Sequence, residues 1–289
     1  MASAKTAIDR IAYQGEPGAN SHIAARNVFP DLEPLACATF EDALAAVASG
    51  DAKLGMIPIE NSVAGRVADI HHLLPTSGLH IIGEYFLPIR HQLMAIKGAT
   101  LSSVREVYSH VQALGQCRNT LRKLNLMPIT AADTAGSARM VRDRQDPTSG
   151  AIASRLAAEI YGLEILAQDI EDEAHNTTRF VVLSREPQWA AASNGPCMTT
   201  LVFRVRNVPA ALYKAMGGFA TNGVNMTKLE SYMMEGTFSA TQFYADIEGH
   251  PEHRNVKLAL EELRFFSAEM HILGVYPAHP TRLERKPAE

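Results

Sequence analysis

Up to Leu183 the chain alternates short apolar runs with segments of about ten residues whose apolar side chains recur at helical spacing. Residues 54–59 form one continuous apolar run, and Val63, Val67, Ile70 and Leu74 then follow a helical period. Such strand–helix alternation predicts an α/β fold, with largely parallel sheets joined by right-handed crossovers.

Polar residues follow several predicted strands and open the next helices. Ser21, Ser109 and Asp133 take such positions, and Asn61 or Ser62 is predicted to cap the helix after residue 59. Parallel strands end at one edge of a sheet, where helix N-termini favour anions. We therefore expect an anion-binding site at this edge, although each residue taken alone is more simply a helix cap.

The segment Asn176–Phe180 joins an acidic run to the apolar run 181–183, which is predicted to be a buried strand. The Thr178 hydroxyl could donate a hydrogen bond while the neighbouring guanidinium of Arg179 holds an anion. The same pattern is also typical of a solvated strand start.

Composition changes after Leu183, and small residues with Pro and Gly predict a linker at 188–197. Residues 198–280 then follow the order βαββαβ, with a hairpin across Glu235–Gly236, which predicts a ferredoxin-like domain. The polar segment from Ala278, including residues 281–289, is predicted to be a frayed tail.

Charge and cysteine content exclude several classes of protein. The 289 residues carry a net charge of −4 and no dense Lys/Arg cluster, which argues against nucleic-acid binding. No apolar run reaches the length of a membrane span, and residues 1–10 lack the apolar core of a signal peptide, so we expect a cytoplasmic protein without membrane contact. Three separated cysteines favour reduced thiols, and no ligand spacing indicates a metal site.

Four motifs together resemble the prephenate dehydratase family, in that family's order and spacing. They are Tyr13–Ser21, Gly55–Ser62, Ser109–Cys117 and Asn176–Phe180. Residues 198–280 resemble the ACT domain that such enzymes carry.

The resemblance implies a catalytic region, residues 1–187, with two subdomains and a cleft like that of a periplasmic binding protein. The subdomains are roughly 1–84 with 175–187, and 85–174. It also implies decarboxylative dehydration of prephenate to phenylpyruvate in phenylalanine biosynthesis, with no cofactor. L-phenylalanine is the expected feedback inhibitor, and a homodimer or homotetramer the expected assembly.

Matching the motifs residue by residue assigns expected roles. Thr178 becomes the proton donor, and Arg179 holds either a carboxylate or the loop. The other expected catalytic residues are Asn61, Ser109 and Gln116. The expected substrate-binding residues are Glu60, Ser62, Ala19, Ser21 and Thr177. The expected effector-binding residues are Ala211, Leu212, Asn225, Met226, Glu230 and Ser231.

Some positions depart from the family's pattern. Val111 replaces a helix-start Pro, Ala210 the Gly of a Gly-Ala-Leu segment, and Tyr232-Met233 the Arg-Pro of the effector motif. The identity of the effector is therefore open. Two alternative functions also stay open, namely an arogenate dehydratase and a non-catalytic, amino-acid-responsive binding protein.

Overall fold

The computed structural model describes residues 9–206, 208–233 and 240–284, and it confirms the α/β class. The described residues form two compact units. The first combines the chain up to Val67 with Phe86–Phe180, and the second combines Ala68–Tyr85 with the chain from Val181 onward.

The strands and helices are numbered along the chain. The strands are β1 (Arg10–Gln14), β2 (Glu33–Cys37), β3 (Leu54–Asn61), β4 (Gly65–Arg66), β5 (His80–Pro88), β6 (Gln92–Ala95), β7 (Glu106–Ser109), β8 (Met127–Thr130), β9 (Ser149–Ala153), β10 (Glu164–Ala167), β11 (Thr177–Ser184), β12 (Cys197–Val205), β13 (Met226–Met233), β14 (Ala240–Glu248) and β15 (Ser267–Pro277). The α-helices are α1 (Asn20–Val28), α2 (Phe40–Ser49), α3 (Ala68–Leu73), α4 (Val111–Gln116), α5 (Arg118–Lys123), α6 (Thr134–Arg144), α7 (Arg155–Tyr161), α8 (Ala211–Thr221), α9 (Arg254–Phe266) and α10 (Pro280–Leu283), and a 3₁₀ turn covers Leu74–Thr76.

Two sheets form the first unit. In one, β2, β1 and β3 pair in parallel and β4 returns antiparallel to β3. The other has the order β10-β6-β9-β7-β8. There β7 is parallel to β8 and β9, but β6 is antiparallel to both β9 and β10. This sheet is therefore mixed rather than largely parallel, because β6 is inserted between two strands that α7 connects.

The segment after β3 differs from the predicted helix. The chain turns back as β4, and α3 begins only at Ala68. The Asn61 side-chain oxygen accepts hydrogen bonds from the backbone N–H groups of Val63 (3.0 Å) and Ala64 (2.8 Å). Asn side chains that bond backbone donors in this way stabilise turns in competition with helix.

Other predicted caps have mixed outcomes. Asp133 caps α6 as predicted, accepting from Gly136 N at 2.6 Å. By contrast, α1 begins at Asn20, so Ser21 lies inside its first turn. Ser109 is the last residue of β7, and His110 caps α4 instead. Beyond His110 the chain forms two short helices, α4 and α5, which meet at Cys117.

The second unit contains a ferredoxin-like βαββαβ arrangement, as predicted, built from β12, α8, β13, β14, α9 and β15. The four strands pair antiparallel in the order β13-β14-β12-β15. Helices α8 and α9 approach closely at Gly218, where a Cβ would lie 2.7 Å from the Cβ of Glu262. The predicted turn at Glu235–Gly236 lies outside the described residues.

An ion pair holds α10, where the sequence predicts a frayed tail. Arg282 Nε and Nη2 donate to the two carboxylate oxygens of Glu84 on β5, at 2.6 and 2.9 Å. The Glu84 side chain is fully buried, and His279 N donates to the same carboxylate at 3.1 Å. A buried carboxylate needs such partners, so it fixes the position of α10. Residues 285–289 of the predicted tail lie outside the described residues.

Candidate active site

Asn61 brings the end of β3 to the beginning of β11. Its side-chain nitrogen donates to Asn176 Oδ1 at 2.8 Å and to Thr178 Oγ1 at 2.9 Å. The Asn61 side-chain oxygen accepts from the turn that follows β3, so the oxygen is fixed as an acceptor and the nitrogen as a donor. Asn61 thereby positions the Thr178 hydroxyl, which is half-buried.

Ser62 adds a second set of bonds between the same two segments. Its hydroxyl donates to His175 O at 2.7 Å and accepts from Thr177 N at 2.9 Å, while Ser62 N donates to Thr177 O. Ser62 and Thr177 therefore fix the loop before β11, although the side chain of Ser62 is exposed.

Gln116, the last residue of α4, joins this group from the other sheet of the first unit. Its Oε1 accepts from Asn176 Nδ2 at 3.0 Å and lies 2.8 Å from His91 Nε2. Asn176 and His91 are 2% and 3% exposed, so this part of the network is shielded from water. Burial lowers the pKa of His91, against the raising effects of the Gln116 hydrogen bond and of Glu171. His91 is therefore neutral near pH 7.

Arg179 lies directly after Thr178 but is nearly completely buried. Its Nη1 donates to Glu60 Oε1 at 2.8 Å, and the Glu60 side chain is 32% exposed. These two residues link β3 to β11 one position away from the Asn61–Thr178 pair. The contact is that of a structural ion pair between the two strands.

Three other predicted site residues lie on different elements. The Ser109 hydroxyl is fully buried and donates to Ile152 O at 2.6 Å, across β7 and β9. Ala19 precedes α1 and Ser21 lies in its first turn. Among the described residues, no hydrogen bond joins these three to the amide group of Asn61, Asn176 and Gln116.

The predicted effector residues lie in the second unit. Ala211 and Leu212 open α8, Met226 begins β13 one residue after Asn225, and Glu230 and Ser231 lie farther along β13. Glu230 accepts from Lys228 Nζ at 3.3 Å, and Ser231 is exposed. These residues lie on one helix start and on the strand at one end of the antiparallel sheet order.

Sequence reasoning missed Asn176 and His91 as members of the site. Asn176 begins the motif that contains Thr178, and an Asn directly before a hydroxyl pair was a signal that could have been used. His91 stands just before β6 and has no local signal, because its partner Gln116 is 25 residues away.

A cavity of about 520 Å³ lies beside Gln116. Val63 and Ala64 line it, together with the exposed residues Arg118 and Arg122. Neither guanidinium has a hydrogen bond or ion pair among the described residues. The cavity also contains Asp172 and Glu173, so its charge is mixed, but it offers two cations close to neutral amide donors.

The chemistry that this site can support is limited. The Thr178 hydroxyl accepts from Asn61 and donates to no group in the described part of the chain, so its proton is available to a bound acceptor. Burial raises the pKa of the nearby Cys117 thiol, which disfavours a thiolate nucleophile.

Within residues 9–206, 208–233 and 240–284, no group of three or more His, Cys, Asp or Glu side chains could hold a metal ion. The described helices include none long and apolar enough to cross a membrane.

Comparison with known proteins gives a consistent result. The family model for prephenate dehydratase matches residues 11–188. A protein of Komagataeibacter europaeus named bifunctional N-acyl-homoserine lactone acylase/prephenate dehydratase is 53% identical over 277 residues, covering 96% of this chain and 98% of its own. Arogenate dehydratase 2 of Petunia hybrida is 38% identical over 283 residues, covering 93% and 72%. The crystal structure of prephenate dehydratase in complex with L-Phe from Arthrobacter aurescens matches with a TM-score of 0.86 and 30% identity, covering 93% of this chain and 90% of that one.

Proposed function

Because this chain belongs to the prephenate dehydratase family of carbon–oxygen lyases, we propose that it converts prephenate to phenylpyruvate. The observation that carries the proposal is the Thr178 hydroxyl, which Asn61 holds as an acceptor while its proton stays available. The reaction needs a hydrogen-bond donor at the departing hydroxyl and polar groups for two carboxylates. It needs neither a nucleophile nor an electron sink.

The proposed reaction takes the prephenate dianion and one proton to the phenylpyruvate anion, carbon dioxide and water. The C–O bond to the ring hydroxyl and the C–C bond to the ring carboxylate both break, and the electron pair of the latter completes the aromatic ring. Thr178 donates its hydrogen bond to the leaving oxygen, and the proton consumed comes ultimately from solvent. Assistance of this kind contributes about 10²–10⁴-fold in rate.

The remaining residues have supporting roles in this proposal. Gln116 offers its amide N–H₂ to a substrate oxygen, and the ion pair of Arg179 with Glu60 holds the two strands in register. Ser62 and Thr177 fix the loop. Ala19 and Ser21, at the start of α1, contribute to carboxylate binding, and buried Ser109 supports the end of β7. Arg118 and Arg122 are additional candidates to hold a substrate carboxylate.

The test is phenylpyruvate formation by the purified protein, without added metal or cofactor. Thr178→Ala is expected to bind prephenate but to lose about 10²-fold or more of kcat, because the donor is removed. Thr178→Ser should retain a large part of the activity, and Thr76→Ala, on an exposed turn, should leave it unchanged. Turnover by Thr178→Ala at the native rate would contradict the proposal.

Arogenate is a second candidate substrate, supported by the 38% identity to the Petunia enzyme. Arogenate carries an ammonium group where prephenate has a ketone, and one contact near this group can decide the preference. The ratio of kcat/KM for the two substrates distinguishes them. If the protein turns over neither prephenate nor arogenate, the hypothesis of a non-catalytic binding protein gains support.

A different activity is suggested by the 53% identity to the Komagataeibacter relative, whose name includes N-acyl-homoserine lactone acylase. Incubation with an N-acyl-homoserine lactone, followed by detection of free homoserine lactone, tests it. Thr178→Ala is the informative variant, because loss of both activities would place them in one site.

Regulation is the last part of the proposal. We assign residues 198–280 to an ACT domain that binds L-phenylalanine near Ala211, Leu212, Asn225, Met226, Glu230 and Ser231, with residues 1–187 as the catalytic domain and 188–197 as linker. The phenylalanine-bound Arthrobacter structure and the ferredoxin-like strands support this assignment.

Phenylalanine should lower turnover, and sedimentation should show a dimer or tetramer. A monomer at micromolar concentration, with and without phenylalanine, would contradict this part. We also propose a cytoplasmic location, which the three separated cysteines support because their spacing favours reduced thiols.

A further inference from the structure

The hydrogen bonds of the site have a direction that is fixed at one end by the backbone. Asn61 Oδ1 accepts from the N–H groups of Val63 and Ala64. Backbone N–H groups can only donate, so the oxygen of the Asn61 amide must face them. The Asn61 nitrogen then faces Asn176 and Thr178 and is a donor to both.

The same reasoning passes through two further amides. Asn176 must present its oxygen to the Asn61 nitrogen, which turns its own nitrogen toward Gln116. Gln116 must therefore present its oxygen to Asn176. That oxygen is also the atom 2.8 Å from His91 Nε2. A carbonyl oxygen only accepts, so Nε2 of His91 carries a proton, and the neutral ring has an unprotonated Nδ1.

We infer that His91 is a positioning residue, held as the Nε2–H tautomer, which keeps the Gln116 amide turned so that its nitrogen stays available to substrate. His91 Nε2 and Asn176 Nδ2 both donate to Gln116 Oε1. Asn61 Nδ2 donates to Asn176 Oδ1 and to Thr178 Oγ1. His91 does not touch the reacting atoms. It closes the buried end of the network by giving the Gln116 oxygen a second donor beside Asn176 Nδ2. The role of Gln116 toward substrate rests on the proposed function, but the tautomer of His91 does not.

The tautomer can be measured without substrate. In protein carrying ¹⁵N-labelled histidine rings, the His91 resonances are those that disappear in His91→Gln. We expect a protonated Nε2 and an unprotonated Nδ1 at pH 7 in the native protein.

Asn176→Asp should reverse this arrangement. The substitution replaces the donor nitrogen by an oxygen, so Gln116 must turn its own nitrogen toward the new carboxylate and toward His91. His91 Nε2 must then accept, and its proton moves to Nδ1. The Gln116 oxygen is now presented to substrate, and kcat should fall. Asn125→Asp, in an exposed turn of the same unit, adds the same charge and should change neither the tautomer nor kcat.

A second pair of variants tests His91 if Asn176→Asp fails to fold. His91→Leu removes the donor and should lower kcat about tenfold with little change in KM, the size expected for one neutral hydrogen bond. His91→Gln can place a nitrogen donor near the same point and should retain more of kcat than His91→Leu.

An Nδ1–H tautomer in the native protein overturns the inference, as does Asn176→Asp with an unchanged tautomer and unchanged kcat. Equal kcat in His91→Leu and the native protein also overturns it. Failure of the proposed reaction is a separate outcome. In that case Thr178→Ala would keep full turnover, or prephenate would not react at all. The native protein would still show a protonated Nε2 and an unprotonated Nδ1 at His91.

Discussion

Arg179 lies in the motif that contains Thr178, but its side chain forms an ion pair that links two strands of the site. It is among the largest side chains that are fully buried, and its partner Glu60 remains one-third exposed. A guanidinium in this environment requires a carboxylate beside it. Motif reasoning left two roles open for Arg179, to hold a carboxylate or to hold the loop, and its ion pair with Glu60 joins strands β3 and β11.

Arg179→Met should therefore act mainly on stability. We expect a loss of about 2 kcal/mol in the free energy of unfolding, below the 3–5 typical of a fully buried pair because Glu60 reaches solvent. Urea denaturation measures it. Adding Glu60→Gln should recover part of the loss, since a neutral amide needs no cation. Equal stability of the single variant and the native protein would contradict a structural role.

His22 provides a prediction about pH. Its ring stacks on Tyr13 at 5.1 Å, and its Nδ1 accepts from Gly18 N at 3.0 Å. Burial and then Arg26 lower the pKa of His22 below the ordinary 6.5. The unfolded chain therefore binds the proton first, so the stabilisation is complete above about pH 6.5 and is lost as the pH falls toward the folded-state pKa.

The melting temperature should accordingly decrease between about pH 7 and pH 5. His22→Asn keeps an acceptor for Gly18 N but does not titrate, and it should show a smaller decrease. A variant with the same pH dependence as the native protein would exclude His22 as a source of the effect.

At the scale of elements, the start of α8 stands out. Ala210 precedes the helix with φ of +61°, in the left-handed region that costs a residue with a side chain about 1–2 kcal/mol. The resemblance places Gly at this position, and the backbone keeps the conformation that Gly would adopt without strain.

Ala210→Gly should stabilise the second unit by about 0.5–1 kcal/mol, because it removes the strain but adds freedom to the unfolded chain. The free energy of unfolding measures this. Ala211→Gly, one residue later and inside the helix, is the matched control and should destabilise by up to about 1 kcal/mol. Stabilisation by both changes would contradict the explanation.

The elements also show what a sequence can predict. The apolar run of residues 54–59 located β3, the Asp133 cap located the start of α6, and the order of elements located the ferredoxin-like domain, because these signals are local. The helical spacing after residue 59 missed β4, where a side-chain-to-backbone turn at Asn61 replaced the helix start. The contact of Asn176 with Gln116 spans 60 residues, and no periodic pattern encodes a pairing at that distance.

At the scale of the molecule, the two units are interleaved along the chain. Residues 68–85 pack with the chain from Val181 onward, and β5 pairs with β15 at Ile81 and Gly274. A Cβ on Gly274 would lie 2.0 Å from Ile81 O, so only Gly permits this approach. Nothing local in residues 68–85 indicates that their partners come so late in the sequence.

The Glu84–Arg282 pair has a consequence for synthesis on the ribosome. Glu84 emerges early, but the guanidinium that it binds is translated 198 residues later. Until then, burying this carboxylate would leave a charge without that partner. The segment around Glu84 therefore stays hydrated and incompletely packed while the chain lengthens, and during this interval its exposed surface is open to aggregation.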